Sequence, residues 1–185
     1  AFLGASKFFW EKYFFNFINM CGISGAIAMS KLGERYLEKM EEANATLTLR
    51  GPDGGAVYQK GKVGLGHRRL SIIDTSCAGD QPMTTADGRY TIIFNGEIFN
   101  YRQLLHQYLT PPQQQELRSQ SDTEIFLILY TTMGEKVFSL LEGFFAAAIY
   151  DAEEERLVLV RDRFGKKPLL VYQDAEKIVF ASEMK

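Results

Sequence analysis

The sequence has little cysteine, histidine or proline: two, two and five residues among 185. Cys21 and Cys77 form no spaced framework, which excludes a disulfide-built scaffold. A single Cys21–Cys77 bridge is compatible with the sequence, but nothing in it demands an oxidising compartment. His67 and His106 stand too far from other ligand types to form a metal cluster, and no metal is expected. A net charge of -2 offers no electrostatic footprint for nucleic acid or an anionic membrane. These absences describe a protein of a reducing, cytoplasmic setting. What is present is ordinary: 46% hydrophobic and 24% charged residues suit a soluble globular chain. The length allows one domain with a sizeable core, and no internal repeat is visible.

Ala1 to Asn19 differs from the rest. It is crowded with aromatics, among them Phe8, Phe9, Trp10, Tyr13, Phe14 and Phe15, and is broken by Lys7, Glu11 and Lys12. It lacks the ordered basic, apolar and small-residue parts of a secretory signal, and it is too short and interrupted to span a bilayer. Residues 1–20 therefore read as an extension outside the mature domain, with the native start at Met20, and residues 21–185 as the domain itself.

Cys21 to Ala28 reads as a buried strand. Apolar spacing at Leu37, Met40, Ala43 and Leu47 predicts a helix over 34–49, stopped by Arg50-Gly51-Pro52-Asp53-Gly54-Gly55. Strands follow at 56–59 and 63–70. After a loop over 74–85, Asp87-Gly88 predicts a hairpin turn into a strand at 90–94, ended by Asn95-Gly96-Glu97. A short helix is expected over 101–109, and Thr110-Pro111-Pro112 with its glutamines reads as a surface loop. Ser121-Asp122-Thr123-Glu124 is a capping-box pattern opening a helix to Met133, with a further helix over 135–141. Four strands close the chain, at 144–151, 156–161, 169–173 and 178–182. Strands in two groups with helices between them imply two packed sheets flanked by helices.

Met20-Cys21-Gly22 is the chemically informative stretch. Removal of Met20 leaves Cys21 with a thiol and a free α-amine, whose pKa of roughly 7.7–8.0 makes it a base near neutrality. Nucleophile and base then sit on one residue. Read alone, a buried structural thiol explains the residue as well. In Gly66-His67-Arg68-Arg69-Leu70-Ser71 the adjacent arginines of a strand point to opposite faces. An inward guanidinium is suited to gripping a carboxylate, although a surface ion pair is the plainer alternative. Asn95-Gly96 supplies a side-chain and a backbone N–H that suit an oxyanion hole, and equally forms a common tight turn. Asp122 in the first turn of a helix is favoured by the helix dipole whatever its function.

In order and spacing these stretches resemble the class II glutamine amidotransferase domains, within the N-terminal nucleophile hydrolases. The likeness is greatest to the N-terminal half of glutamine-hydrolysing asparagine synthetases. Cys21-Gly22-Ile23, Arg50-Gly51-Pro52-Asp53, His67-Arg68-Arg69-Leu70-Ser71 and Asn95-Gly96-Glu97-Ile98-Phe99-Asn100 carry it. Ser121-Asp122-Thr123-Glu124, Arg161-Asp162-Arg163-Phe164-Gly165 and Phe180-Ala181-Ser182-Glu183 extend it over all but the first twenty residues.

The resemblance implies an α+β fold, a four-layer α/β/β/α sandwich with two mostly antiparallel sheets between helices. It implies hydrolysis of L-glutamine to glutamate and ammonia, with Cys21 as nucleophile and its α-amine, through a water, as base. Arg69 would bind the α-carboxylate with the backbone of Leu70, Ser71, Ile72 and Ile73. Glu97 and Asp122 would hold the α-ammonium, and Asn95 and Gly96 the oxyanion. One cation and two anions are what a zwitterionic amino acid requires. His67 and Cys77 receive no role, and His106 reads as a surface residue.

Three departures accompany the resemblance. The Ser-Gly-Gly-x-Asp phosphate loop of the family's synthetase domain is absent from these residues. No cofactor is expected here, ATP and Mg belonging to that further domain, which is the implied partner and would use the ammonia to make asparagine from aspartate. The resemblance also admits a homodimer. Leu170 stands where an aromatic is usual, and the extension masks the Cys21 amine. A glutaminase domain and a catalytically silent binding or regulatory module of the same fold remain the two readings. The full set of ligand-binding side chains favours the first.

Overall fold

The computed structural model describes residues 20–70, 77–119 and 121–184. Two sheets face one another. The first has the order β2-β3-β1-β9-β8 and the second β4-β5-β6-β7, and every pairing is antiparallel. The first sheet comprises β1 (Gly22–Ala28), β2 (Gly54–Lys60), β3 (Val63–Arg69), β8 (Leu170–Gln173) and β9 (Lys177–Ala181). The second comprises β4 (Met83–Thr84), β5 (Tyr90–Ile98), β6 (Gly143–Asp151) and β7 (Arg156–Arg161).

The period-2 alternation of strands sorts their side chains into three cores. Ile23, Val63, Leu65 and Phe180 of the first sheet meet Ile93, Ala146, Ala148 and Tyr150 of the second in the middle of the sandwich. On the outer face of the first sheet, Ala26 and Ala28 pack under Leu37 and Met40 of α1 (Glu34–Leu37) and α2 (Met40–Ala45). Gly64 lets α2 lie close, since a Cβ there would stand 2.7 Å from Met40 Cγ. On the outer face of the second sheet, Ile92, Phe94 and Phe145 pack under α3 (Tyr101–Tyr108) and α5 (Asp122–Met133). Phe126 of α5 contacts the rings of Phe94, Phe145 and Phe138 and is fully buried, so truncation to alanine costs about 3–5 kcal/mol. This is the four-layer sandwich expected.

Several local expectations change. The helix over 34–49 is two short helices followed by turns. The Thr46 and Thr48 hydroxyls donate to the carbonyls of Ala43 and Ala45, drawing the chain out of helix. Asn95-Gly96-Glu97 does not end β5, which pairs with β6 as far as Ile98↔Gly143. Residues 110–115 are not loop: Thr110 and Gln113 form a capping box on α4 (Pro111–Gln115), with Pro111 at the first helical position where it needs no N–H. The helix after Gly134 is a 3-10 segment, Gly134–Ser139. Among the described residues no helix is long and apolar enough to cross a membrane.

Candidate active site

Cys21 precedes Gly22 at the start of β1 and shares the parity of Ile23, so its side chain faces the space between the sheets. Its free thiol lies at the end of β3, where the Leu70 N–H points to Sγ at 3.4 Å and Sγ lies 3.5 Å from the Leu70 carbonyl. Burial pushes the thiol pKa up; the Leu70 hydrogen bond and the charges of Arg69 and Lys167 pull the other way.

Arg50 fixes the backbone here. Only 5% exposed, it donates from Nε to the Cys21 carbonyl at 3.2 Å and from Nη1 to Glu183 at 2.8 Å. Its own carbonyl accepts the Met20 N–H at 3.0 Å. Lys167 Nζ is 2.9 Å from Met20 Sδ, so two groups hold Met20 in place. Asp162 organises the segment carrying Lys167 by accepting N–H bonds from Phe145, Phe164, Lys166 and Lys167. Burial opposes ionisation of Asp162, yet these donors hold its carboxyl below the usual range. Lys167 itself is lowered by burial and by Arg50.

The arginine pair divides as strand parity requires. Arg69 continues the inter-sheet face of Val63, Leu65 and His67, its side chain 12% exposed, and Nη1 is 2.5 Å from the exposed carboxylate of Asp80. Arg68 lies on the other face and donates from Nε to Gly51 O at 3.0 Å, bracing the turn beside Arg50. Arg68 is half-buried, not a simple solvent contact.

β5 brings Asn95, Gly96 and Glu97 to the same end of the sandwich. Asn95 is 1% exposed, and Nδ2 donates to Ser182 Oγ at 3.4 Å. Gly96 has no room for a side chain, because a Cβ would run into the Phe144 carbonyl. Glu97 is exposed, on the Asn95 face. Asp122 is 4% exposed and accepts the Ile98 N–H at 2.9 Å. Burial raises its pKa to about 6, with the nearby Glu97 charge adding to the rise and backbone N–H bonds from Ile98 and Thr123 opposing it.

On its β4 side the site stretch of β5 is held by side chains, because β4 is only two residues long and its pairing stops at Met83↔Ile92. In its place Gln81 Oε1 accepts the Phe94 N–H at 2.6 Å, and His67 Nε2 lies 3.2 Å from the Phe94 carbonyl as donor. His67 thus spans the two sheets. It is fully buried, and burial lowers its pKa to about 3, so it is neutral and structural.

Arg69 and Asp122 lie in the strand and at the helix start expected of them, Cys21 and Leu70 stand one residue outside β1 and β3, and Asn95, Gly96 and Glu97 lie within β5 instead of ending it. Ser71, Ile72 and Ile73 lie outside the described residues. Sequence reasoning gave no role to Arg50, Lys167, Gln81 or Ser182. Arg50 and Ser182 did stand in quoted motifs, read as a tight turn and as an unassigned strand end. Among the described residues no cluster of three His, Cys, Asp or Glu is placed to hold a metal.

Cys21 thus stands just before the central strand of one sheet, on the face that Asn95 faces from the other. The solved glutamine phosphoribosylpyrophosphate amidotransferase from Bacillus subtilis shares this fold with a TM-score of 0.65 at 20% identity, over 88% of this chain and 42% of that one. The family model described as "Glutamine amidotransferase domain" matches residues 20–185, and the chain belongs to that family. Among curated relatives, the "Asparagine synthetase [glutamine-hydrolyzing] 2" of Bacillus subtilis is 35% identical over 171 residues, covering 90% of this chain and 22% of the relative. The "Asparagine synthetase B [glutamine-hydrolyzing]" of Escherichia coli is 33% identical over 167 residues, with 90% and 29% covered. "Amidase chry2" of Gibberella zeae is 33% identical over 177 residues, with 90% and 26% covered. The chain thus spans well under half the length of these relatives.

Proposed function

We propose that this domain hydrolyses L-glutamine to glutamate and ammonia, with residues 21–185 as the working unit. The observation that carries the reading is the setting of Cys21: its thiol lies 3.4 Å from the Leu70 N–H, next to Arg69 on the inter-sheet face that Asn95 faces from the opposite sheet. Once Cys21 is the first residue, its α-amine takes the thiol proton through a water, and Sγ attacks the side-chain amide carbon of glutamine. The negative oxygen of the tetrahedral intermediate is held by Asn95 Nδ2 and the Gly96 N–H. The proton returns to the leaving nitrogen, ammonia departs, and water cleaves the γ-glutamyl thioester to glutamate and free thiol. Arg69, with the backbone of Leu70 to Ile73, grips the α-carboxylate; its contact with Asp80 supports this capacity. Glu97 and Asp122 neutralise the α-ammonium.

In the larger protein the ammonia goes to a synthetase domain, the partner of this one, which uses ATP and Mg to make asparagine from aspartate. The names of the Bacillus and Escherichia relatives support that destination. The test is glutamate release by the chain beginning at Cys21, with Cys21→Ala as control. Turnover in the parent and none in the variant is the expected result; an inactive parent leaves the silent binding module as the reading.

A further inference from the structure

The catalytic scheme uses Asn95 but leaves open what aims its amide. An asparagine side chain turns about two bonds, and an oxyanion donor stabilises the transition state only if its N–H is already directed at the developing charge. The hydroxyl of Ser182, the residue after β9, answers this. Ser182 is 2% exposed, and Oγ accepts from Asn95 Nδ2 at 3.4 Å and from the Ile23 N–H at 3.0 Å. The Ser182 N–H in turn donates to the Ile23 carbonyl at 2.8 Å, so a double clamp fixes the hydroxyl to the strand that begins at the nucleophile.

Resting on the glutaminase reading above, we propose that Ser182 is a positioning residue for the oxyanion donor. It selects the nitrogen end of the Asn95 amide for the site and ties it in register with Cys21. Nδ2 carries two hydrogens. Ser182 takes one, which turns the second toward the substrate oxygen, and the oxygen of the amide is directed away from the developing negative charge. The hydroxyl moves no proton in the reaction and touches no reacting atom. Its effect reaches the chemistry through Asn95 alone, which separates it from a merely structural serine.

The experiment compares Ser182→Ala, Ser182→Thr, Asn95→Ala and the Ser182→Ala/Asn95→Ala double variant, all in the chain beginning at Cys21. Steady-state glutamine hydrolysis is measured beside the rate and stoichiometry of Cys21 alkylation by iodoacetamide. Alkylation needs the thiol but no oxyanion hole, so its rate reports the setting of Cys21, while circular dichroism gives the folded fraction, since the alanine variant also leaves the Ile23 N–H without its partner. For Ser182→Ala the expected result is a fall in kcat of about tenfold or more per folded site, with KM and the alkylation rate within about twofold of the parent. Ser182→Thr keeps the hydroxyl and restores most of the loss. In the Asn95→Ala background the serine change adds less than about twofold, because the group it aims is gone.

An active parent whose kcat is indifferent to Ser182→Ala overturns the inference. So does a variant in which alkylation falls along with kcat, which places the effect on β1, and so does a full tenfold loss in the Asn95→Ala background. A parent without glutaminase activity instead overturns the functional reading, and this inference with it.

Discussion

Arg50 Nε donates to the carbonyl of Cys21 at 3.2 Å across 29 residues of sequence. The same guanidinium pairs with Glu183, so the turn after α2, the start of β1 and the end of β9 meet on one side chain. A planar fork of donors holds two acceptors in fixed directions; a lysine ammonium on a flexible stem does not.

Arg50→Lys should therefore lower stability by about 1–3 kcal/mol, the cost of leaving buried polar groups without partners. Glutamine kcat/KM should fall with it as Cys21 loses its fixed backbone. Denaturant unfolding and steady-state kinetics check both. A variant with parental stability would show that the fork contributes nothing here.

Arg69 and Asn95 sit on facing sheets and should fail in different ways. Arg69→Ala removes a contact that is the same in ground and transition states, so KM rises much more than kcat falls. Asn95→Ala removes an oxyanion donor and should depress kcat by roughly a hundredfold or more. The reverse pattern would interchange the roles. Arg68, which braces Gly51 and not the site, should affect stability more than either constant.

The strands and the long helix α5 were legible because their apolar periodicity and the Ser121 cap are local signals; Ser121 Oγ does accept the Glu124 N–H, at 3.2 Å. Asn95-Gly96 misled because the pair favours a turn in isolation, while here Ala146 and Phe145 pair across it and the ladder carries β5 to Ile98. Pro111-Pro112 misled because proline breaks helix interiors yet starts helices well. The ligand-facing residues could be placed by strand parity and resemblance. Those that hold them could not, since the Ser182 hydroxyl is 159 residues from Ile23 and 87 from Asn95.

Asp122 sets a pH dependence for glutamine binding. With its carboxyl raised to about 6, it is an anion above that pH and neutral below it. Only the anion balances the α-ammonium of glutamine. KM should rise as pH falls through about 6, approaching tenfold per pH unit if the charge is essential. Bound glutamine favours the carboxylate, so the kcat profile should break at lower pH than kcat/KM. In Asp122→Asn, KM should be high and flat between pH 5 and 7. A wild-type KM that is level across that range would remove Asp122 from the ammonium site.

His67 predicts acid sensitivity of the fold. Its pKa is about 3 in the native state against 6.5 as the reference, so the unfolded chain binds a proton the native one refuses. The stability it confers is whole above 6.5 and is lost as pH falls toward 3, at about 1.4 kcal/mol per unit. Asp122, raised in the native state, has the opposite slope between about 6 and 3.8 and masks part of the effect. His67→Gln keeps a donor for the Phe94 carbonyl without the titration. Its stability relative to wild type should improve steadily from pH 6.5 to 4 in denaturant melts. A difference independent of pH would mean that His67 does not resist protonation.

The last prediction concerns the nitrogen of Cys21. While Met20 is attached, that nitrogen is an amide without a basic lone pair and cannot take the thiol proton. Met20 is also held in place, its N–H on the Arg50 carbonyl and its sulfur 2.9 Å from Lys167 Nζ. The thiol is then a poor nucleophile for a second reason, since burial has pushed its pKa up. A free α-amine changes this, adding a base with a pKa near 7.7–8.0 on the same residue as the thiol. Two preparations, one retaining Met20 and one beginning at Cys21, should therefore share a fold and differ in glutamine turnover by at least about a hundredfold, the scale of one general base. Intact mass fixes which terminus each carries. Equal turnover from both would rule out the α-amine as base, and the buried, neutral His67 would then need testing in its place.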